Sequence, residues 1–253
     1  MLQFINPLNV SWGVWFITLS VAFLTGVSKS GLKGIVMIAI PVLANIYGAK
    51  ESTGILLPFL VFGDLFALKI FYKNSKIKLI LKLLPYAIMG VLFAVFIGNK
   101  LNNQQFLYII ATILLICVAL ILYSDLRKSN NSIFESKIVS PLFGLGGGFA
   151  TMMGNLAGPI FNLYLISMKL PKKEFIGTGA FFFLILNVFK VPFHYFSWGS
   201  ITNQTLQMNL IMVPAIYIGS LIGSKIVNYI PERGYRYFIL TVTTISAILL
   251  YWK

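Results

Sequence analysis

The chain has 253 residues, of which 58% are hydrophobic and only 10% are charged, and its formal net charge at pH 7 is +14. Soluble domains carry about 25% charged residues, so a chain this poor in charge cannot cover a surface that faces water. The composition therefore excludes a soluble domain and predicts an all-α polytopic membrane protein, which we expect in the inner membrane of a bacterium.

The excess of basic residues indicates membrane topology rather than nucleic-acid binding. In membrane proteins, Lys and Arg mark cytoplasmic loops and contact lipid headgroups, and no nucleic-acid-binding module is recognisable. The single cysteine, Cys117, lies in an apolar run and excludes both a disulfide framework and a cysteine-based metal site. We expect no metal, no cofactor and, because residues 1–10 lack a basic segment, no cleaved leader.

The first predicted element is a pair of short helices, Trp12–Thr25 and Ile35–Tyr47, each only about 20 Å long. They flank a polar, glycine-containing stretch, Gly26-Val-Ser-Lys-Ser-Gly-Leu-Lys-Gly34. Non-helical backbone at membrane depth persists only where protein buries it or water lines it. The pattern therefore predicts a broken or re-entrant helix pair.

Three full transmembrane helices follow, because about 20 apolar residues are needed to cross the hydrocarbon core. They are predicted at Thr53–Tyr72, Leu81–Gly98 and Gln105–Tyr123. Residues 125–136 are polar and are expected to form a cytoplasmic linker.

The second half repeats this order of elements. The short helices Val139–Phe149 and Leu156–Met168 flank Ala150-Thr-Met-Met-Gly-Asn155, and four further glycines lie within residues 144–148. This pattern predicts a second broken pair. Three further spans are predicted at Glu174–His194, Leu206–Asn228 and Tyr235–Tyr251.

The two halves share residues at matching positions. A Lys-Glu-x-x-Gly pattern follows each broken pair, at residues 50–54 and 173–177, and Asp64 aligns with Asn187 at the same separation. Further along, Pro85 and Gly90 align with Pro214 and Gly219. We therefore predict a duplication of residues 11–124 and residues 137–252.

Charge placement predicts the orientation. If the N-terminus is outside and each segment reverses direction, only Lys50, Lys100, Lys190 and Lys253 lie outside. Fourteen basic residues then lie inside, as the positive-inside rule favours: Lys69, Lys73, Lys76, Lys78, Lys82, Arg127, Lys128, Lys137, Lys169, Lys172, Lys173, Lys225, Arg233 and Arg236. Each half has five segments, so the two copies run in opposite directions and form an inverted repeat, a common design of secondary transporters.

The first break carries the residues typical of an anion site. Free backbone N–H groups at a helix break attract anions, hydroxyl groups donate hydrogen bonds, and lysine supplies positive charge. A lysine near the bilayer midplane costs about 2.5–3.5 kcal/mol on insertion scales, which favours a function for it. The alternative is that the lysines extend to the cytoplasmic interface. The candidate residues are Ser28, Lys29, Ser30, Gly31 and Lys33.

The second break is uncharged and offers amide, hydroxyl and backbone donors opposite the first. Its candidate ligand-binding residues are Thr151, Asn155, Gly158 and Asn162. Gly154 and Gly158 also form a GxxxG pattern, which in membranes is typical of close helix packing and permits a homodimer. The two interpretations are compatible.

Asp64 is the only acidic residue well inside a predicted span. A carboxylate at this depth is expected to pair with a cation, Lys29 or Lys190, or to be protonated. Asp64, Asn187 and Lys190 are therefore candidates for coupling transport to a proton or cation, or for tuning the site; a structural ion pair is the alternative. Lys190 and His194, one turn apart, are expected either to line an exit path or to extend to the outer interface.

At the two breaks the sequence resembles the TauE/SafE family of membrane transporters, known for export of sulfite and organosulfonates. In the first half the resemblance lies in residues 26–34, Pro41 and Asp64, and in the second half in residues 153–165, residues 175–178, Asn187 and Lys190. It covers nearly the whole chain. The family's usual glycine-rich run in the first half is replaced here by Lys29, Ser30 and Lys33, and added cations suit an anion.

These observations lead to the hypothesis of a secondary transporter that exports a small sulfur-containing anion, such as sulfite or an organosulfonate. The partners expected are this anion, a coupling proton or cation, membrane lipid, and a second copy of the chain. An anion channel and a non-transporting membrane scaffold or assembly factor stay open as alternatives. An enzyme is disfavoured because the sequence has no HExxH pattern, no Walker A motif and no loop long enough for a catalytic domain.

Overall fold

The computed structural model describes residues 6–32, 34–126, 139–167 and 170–226, together with Tyr229 and Ile248. The regular elements in these ranges are all helical, which confirms the predicted all-α class. They are α1 (Trp12–Ser30), α2 (Val36–Tyr47), α3 (Ala49–Phe71, extended by a 3-10 turn Tyr72–Asn74), α4 (Ile77–Gly98), α5 (Asn103–Leu126), α6 (Val139–Gly154), α7 (Ala157–Ser167), α8 (Lys172–Pro192, extended by a π-helical turn Phe193–Ser197) and α9 (Asn203–Ile226).

Within the described ranges, five helices are long and apolar enough to cross a membrane: α1, α3, α4, α8 and α9. The predicted spans in α3, α4, α5, α8 and α9 are confirmed as helices, and several begin about one turn earlier than predicted. The predicted span Tyr235–Tyr251 and most of the linker 125–136 lie outside the described residues. The protein is a multi-pass membrane protein.

The breaks in the two helix pairs are shorter in the structure than the sequence predicted. Helix α1 continues to Ser30 rather than ending at Thr25, and α6 continues to Gly154 rather than ending at Phe149. With 19 residues, α1 is long enough to cross a membrane rather than being a half-length helix. At Thr25, where the predicted helix ended, the hydroxyl donates to the carbonyl of Val21 at 2.8 Å, so this polar group is satisfied within the helix.

Several glycines of these regions lie where a neighbouring helix crosses closely. In the crossing of α1 with α9, a Cβ atom added to Gly26 would overlap the carbonyl oxygen of Ile216, and one added to Gly219 would overlap that of Phe23. These glycines therefore serve close helix packing rather than helix breaking.

The crossing of α4 with α6 repeats this arrangement. A Cβ atom added to Gly148 would overlap the carbonyl of Ala87, and one added to Gly90 would overlap the carbonyl of Leu145. Relative to the first crossing, the α6 positions are shifted by 122 residues (148 − 26 and 145 − 23) and the partner positions by 129 residues (219 − 90 and 216 − 87). Two crossings with matched positions support the predicted duplication. The opposite orientation of the two copies stays a prediction.

Helices α3 and α8 contact each other at the centre of the described structure and carry the aligned residues Asp64 and Asn187. Both ends of α8 also contact residues of the first half of the chain. Lys76, after α3, forms an ion pair with Glu174 at the start of α8, at 3.1 Å. Asn99, after α4, accepts and donates hydrogen bonds with Ser197 at the end of α8. Both halves therefore contribute to the centre of the molecule.

Candidate functional site

A cavity of about 60 Å³ lies where the two broken pairs meet α3 and α8. It has room for a few water molecules or one small ion. Eight residues singled out from the sequence line it: Ser28, Lys29, Asp64, Thr151, Asn155, Gly158, Asn162 and Asn187. The structure thus brings together polar residues that lie more than 150 positions apart, and whether they bind a ligand stays a prediction.

Two other predicted residues, Ser30 and Gly31, lie elsewhere. Ser30 is fully buried without a hydrogen-bond partner for its hydroxyl among the described residues, and Gly31 packs against the carbonyl of Gly223 in α9. Neither lines the cavity, because the last turn of α1 turns them toward α9. Lys33 lies outside the described residues.

Lys29 and Asp64 form an ion pair in the cavity wall. The ammonium Nζ of Lys29 lies 2.8 Å from Oδ1 of Asp64 and donates to Oδ2 at 2.9 Å. The amide of Asn187 also donates to Oδ2, at 2.7 Å, and the ring of Phe183 lies 4.6 Å from the ammonium. The expected pairing of Asp64 is thus confirmed with Lys29, and Lys29 does not extend to an interface.

Lys190 lies directly behind the cavity, and the expectation that it extends to the outer interface was wrong. It is 0% exposed. Its ammonium donates to the carbonyl and the hydroxyl of Thr151, both at 2.9 Å, and to Oδ1 of Asn155 at 2.7 Å. An ammonium has three donors and no acceptor, so these three acceptors saturate it. Lys190 therefore binds the C-terminal end of α6.

The turn between α6 and α7 depends on Asn155. Its φ of 58° is left-handed, a region that few residues other than glycine, asparagine and aspartate adopt. The amide of Asn155 also donates to the carbonyl of Thr53 at 3.2 Å. The chain turns here between Gly154 and Gly158, so the two glycines do not lie on one continuous helix, and the GxxxG interpretation was wrong for this pair.

Two helix N-termini border the cavity. Gly34 and Val36 lie at the start of α2, and Gly158 lies in the first turn of α7. The first N–H groups of a helix have no partner within it, and the helix dipole places partial positive charge there. The site thus combines one lysine with two helix ends that favour negative charge.

The rest of the lining could not be recognised in the sequence. Leu60, Gly179, Ala180 and Phe183 line the cavity, yet small and apolar residues within apolar spans carry no signal that separates a lining position from a packed one. Gly179 and Ala180 leave space only because neighbouring helices lie where they do.

A separate cluster outside the lining of the cavity contains Lys50, Phe106, His194 and Trp198. Trp198 packs directly on Gly98, with its ring 5.3 Å from that of Phe106 and 5.0 Å from that of His194. Lys50 lies 5.7 Å from the rings of Phe106 and Trp198. His194 is buried and bonds Ser200 at 2.8 Å, so it neither lines the cavity nor extends to an interface.

Comparison with known proteins agrees with this arrangement. The family model described as "Sulfite exporter TauE/SafE" matches residues 18–250. No curated protein and no solved structure matches the chain. The match includes both broken pairs, α3 and α8, and the resemblance seen in the sequence is confirmed. This multi-pass membrane protein belongs to the sulfite exporter TauE/SafE family of transporters.

Proposed function

We propose that the protein is a secondary transporter that exports a small sulfur-containing anion, such as sulfite or an organosulfonate, across the bacterial inner membrane. The family supports export of a sulfur anion. The observation that carries the proposal for this chain is the ammonium of Lys29, which lines a small cavity between two helix N-termini.

In the proposed complex, Lys29 and free N–H groups at the starts of α2 and α7 bind the anion's oxygens. The N–H groups of Met37 and Ile38 already donate to backbone carbonyls, so Val36 and Gly158, which line the cavity, are the candidates. Asn162 has a buried side-chain oxygen without a partner among the described residues. Its amide group is therefore a candidate to rotate and donate to the ligand. Ser28, Thr151 and Asn155 complete a ring of polar groups around the cavity.

The cavity volume of about 60 Å³ supports a compact substrate. Sulfite and short sulfonates carry their charge on three oxygens around one sulfur atom, which matches a site of several converging donors. A large organic anion would require the surrounding helices to separate.

Transport would proceed by alternating access. The two broken pairs would move relative to each other, so that the cavity opens to one side of the membrane at a time. Asp64, Asn187 and Lys190 would tune the affinity between these states. Coupling of a proton or cation at Asp64 belongs to this proposal.

A proteoliposome assay tests the function. Vesicles with purified protein are loaded with unlabelled sulfite or methanesulfonate, and uptake of the labelled anion against its own gradient is measured. With valinomycin and equal K⁺ on both sides to hold the membrane potential at zero, a carrier gives transient accumulation by exchange, whereas an anion channel gives none. We expect accumulation that saturates, is lost in Lys29→Ala and persists in Lys76→Ala, whose lysine belongs to the more exposed ion pair with Glu174. No uptake above that of empty vesicles would contradict the proposal.

A further inference from the structure

We propose that the cavity selects singly charged anions over doubly charged ones, and that Lys190 and Asp64 set this selectivity. The inference rests on the proposed function and names the charge class of its substrate. It follows from the formal charges that the described residues place around the cavity.

The opposite charges of Lys29 and Asp64 cancel each other. Lys29 and Asp64 are in contact through both carboxylate oxygens, and Asp64 is 0% exposed while the side chain of Lys29 is 13% exposed. Both residues line the cavity, and Lys29 is the more exposed of the two. An arriving anion must share Lys29 with Asp64 rather than find it free.

The third charge near the cavity is that of Lys190, which has no partner of opposite sign among the described residues. The three acceptors of Lys190 are a carbonyl, a hydroxyl and an amide oxygen, all of them uncharged. Within the described ranges the ion pairs are Lys29–Asp64 and Lys76–Glu174, and neither includes Lys190. A buried cation without a counter-ion is costly, and an anion in the adjacent cavity would supply one.

Few other charged residues of the described ranges belong to the helices around the cavity. Helices α2, α6 and α7 contain no charged residue, and Lys29 is the only one in α1. The remaining charges of α3 and α8 lie in their terminal turns, at Lys50, Glu51 and Lys69 and at residues 172–174. The described residues thus give the empty site a formal charge of +1, from Lys29, Lys190 and Asp64.

A singly charged anion, such as a sulfonate or the singly protonated form of sulfite, brings this charge to zero. A doubly charged anion leaves −1 in a buried site, where charges are poorly screened. Lys190 acts through Thr151 and Asn155, which both line the cavity, and does not itself touch the ligand in this conformation. It is a specificity-determining residue rather than a contact residue.

The test compares methanesulfonate with sulfate, which are similar in shape, differ in charge and stay ionised between pH 6 and pH 8. Dissociation constants are obtained from the ligand dependence of thermal stability of the full-length protein in detergent. We expect wild type to bind methanesulfonate at least about 10-fold more tightly than sulfate, since one unpaired charge at close range exceeds that effect in a protein interior. Asp64→Asn, which keeps the size of the side chain, raises the site to +2 and is expected to reverse the preference.

Lys190→Met lowers the site to zero and is expected to weaken methanesulfonate binding by about 10-fold or more, whereas Lys190→Arg retains the charge and most of the affinity. Glu174→Gln, which removes a carboxylate outside the site, is the control and should change neither constant. Equal or tighter sulfate binding by wild type, or an unchanged preference in Asp64→Asn, overturns the inference while leaving the proposed function intact. Failure of every sulfur anion to bind any variant refutes both.

Discussion

At the scale of single residues, Asn155 connects more of the site than any other side chain described. Its backbone makes the left-handed turn between α6 and α7, its side-chain oxygen accepts from Lys190, and its amide reaches Thr53 in α3. The three interactions join both halves of the chain behind one cavity. The sequence indicated Asn155 as a ligand donor, but gave no indication of its role in the turn.

We therefore expect Asn155→Ala to destabilise the protein more than Asn155→Gly. Both variants lose the two hydrogen bonds and leave a buried ammonium one acceptor short, a loss of about 1–3 kcal/mol. Only alanine also meets the backbone penalty of about 1–2 kcal/mol for the left-handed conformation. Thermal unfolding in detergent measures the difference, and equal midpoints for the two variants would show that the turn is not under strain.

At the scale of elements, glycines inside α1 and α6 determine where these helices cross their neighbours. The sequence correctly indicated two special regions, because polar residues and glycines interrupt otherwise apolar spans. It misplaced the helix ends because a glycine between two helices and a glycine in a turn look the same in a sequence. Gly26 and Gly148 are covered by backbone carbonyls of α9 and α4, and such contacts between distant segments have no local signature.

A matched pair of substitutions in α6 tests this interpretation. Gly148→Ala places a methyl group against the carbonyl of Ala87, whereas nothing lies within 4 Å of a Cβ at Gly146. We expect Gly148→Ala to cost about 1–3 kcal/mol through overpacking. Gly146→Ala should be neutral or stabilising by up to about 1 kcal/mol, because alanine favours a helix. Thermal midpoints compare the two, and equal loss in both would mean that α6 and α4 are not in close contact.

At the scale of the whole molecule, composition was sufficient for the membrane class, and hydropathy was sufficient for the existence of the spans in the described ranges. Burial was harder to predict. For Lys190, near the end of a span, the sequence left open the lining of an exit path and the outer interface, yet the end of α6 covers it completely. Which face of a span meets protein rather than lipid depends on its neighbours, so Lys190, Phe183 and Trp198 could be assigned only with the fold.

The predicted orientation can be tested at both ends of the molecule. Lys73 and Lys173, near the Lys76–Glu174 pair, are expected inside, and Lys100 and Asn203, near the Asn99–Ser197 contact, are expected outside. All four are exposed. Each is replaced by cysteine in a Cys117→Ala background and treated with a membrane-impermeant maleimide in intact cells. We expect labelling of the outer pair alone. Labelling of the inner pair alone would reverse the predicted orientation, and labelling of only one of Lys73→Cys and Lys173→Cys would contradict the inverted arrangement of the two halves.

The most direct test of the central claim, that an anion binds beside Lys29 between the two breaks, is anion-dependent thermal stability. Purified protein is heated with sulfite, methanesulfonate, taurine, thiosulfate and chloride, and each variant is compared with its own anion-free midpoint, because Lys29→Ala also leaves Asp64 without its ion-pair partner. An anion at 100 times its dissociation constant adds about 2.7 kcal/mol if it binds only the folded state. We predict selective stabilisation by a sulfur anion in wild type and in Lys76→Ala, and its loss in Lys29→Ala. The same shift in Lys29→Ala, or no response to any sulfur anion, would contradict the proposed site.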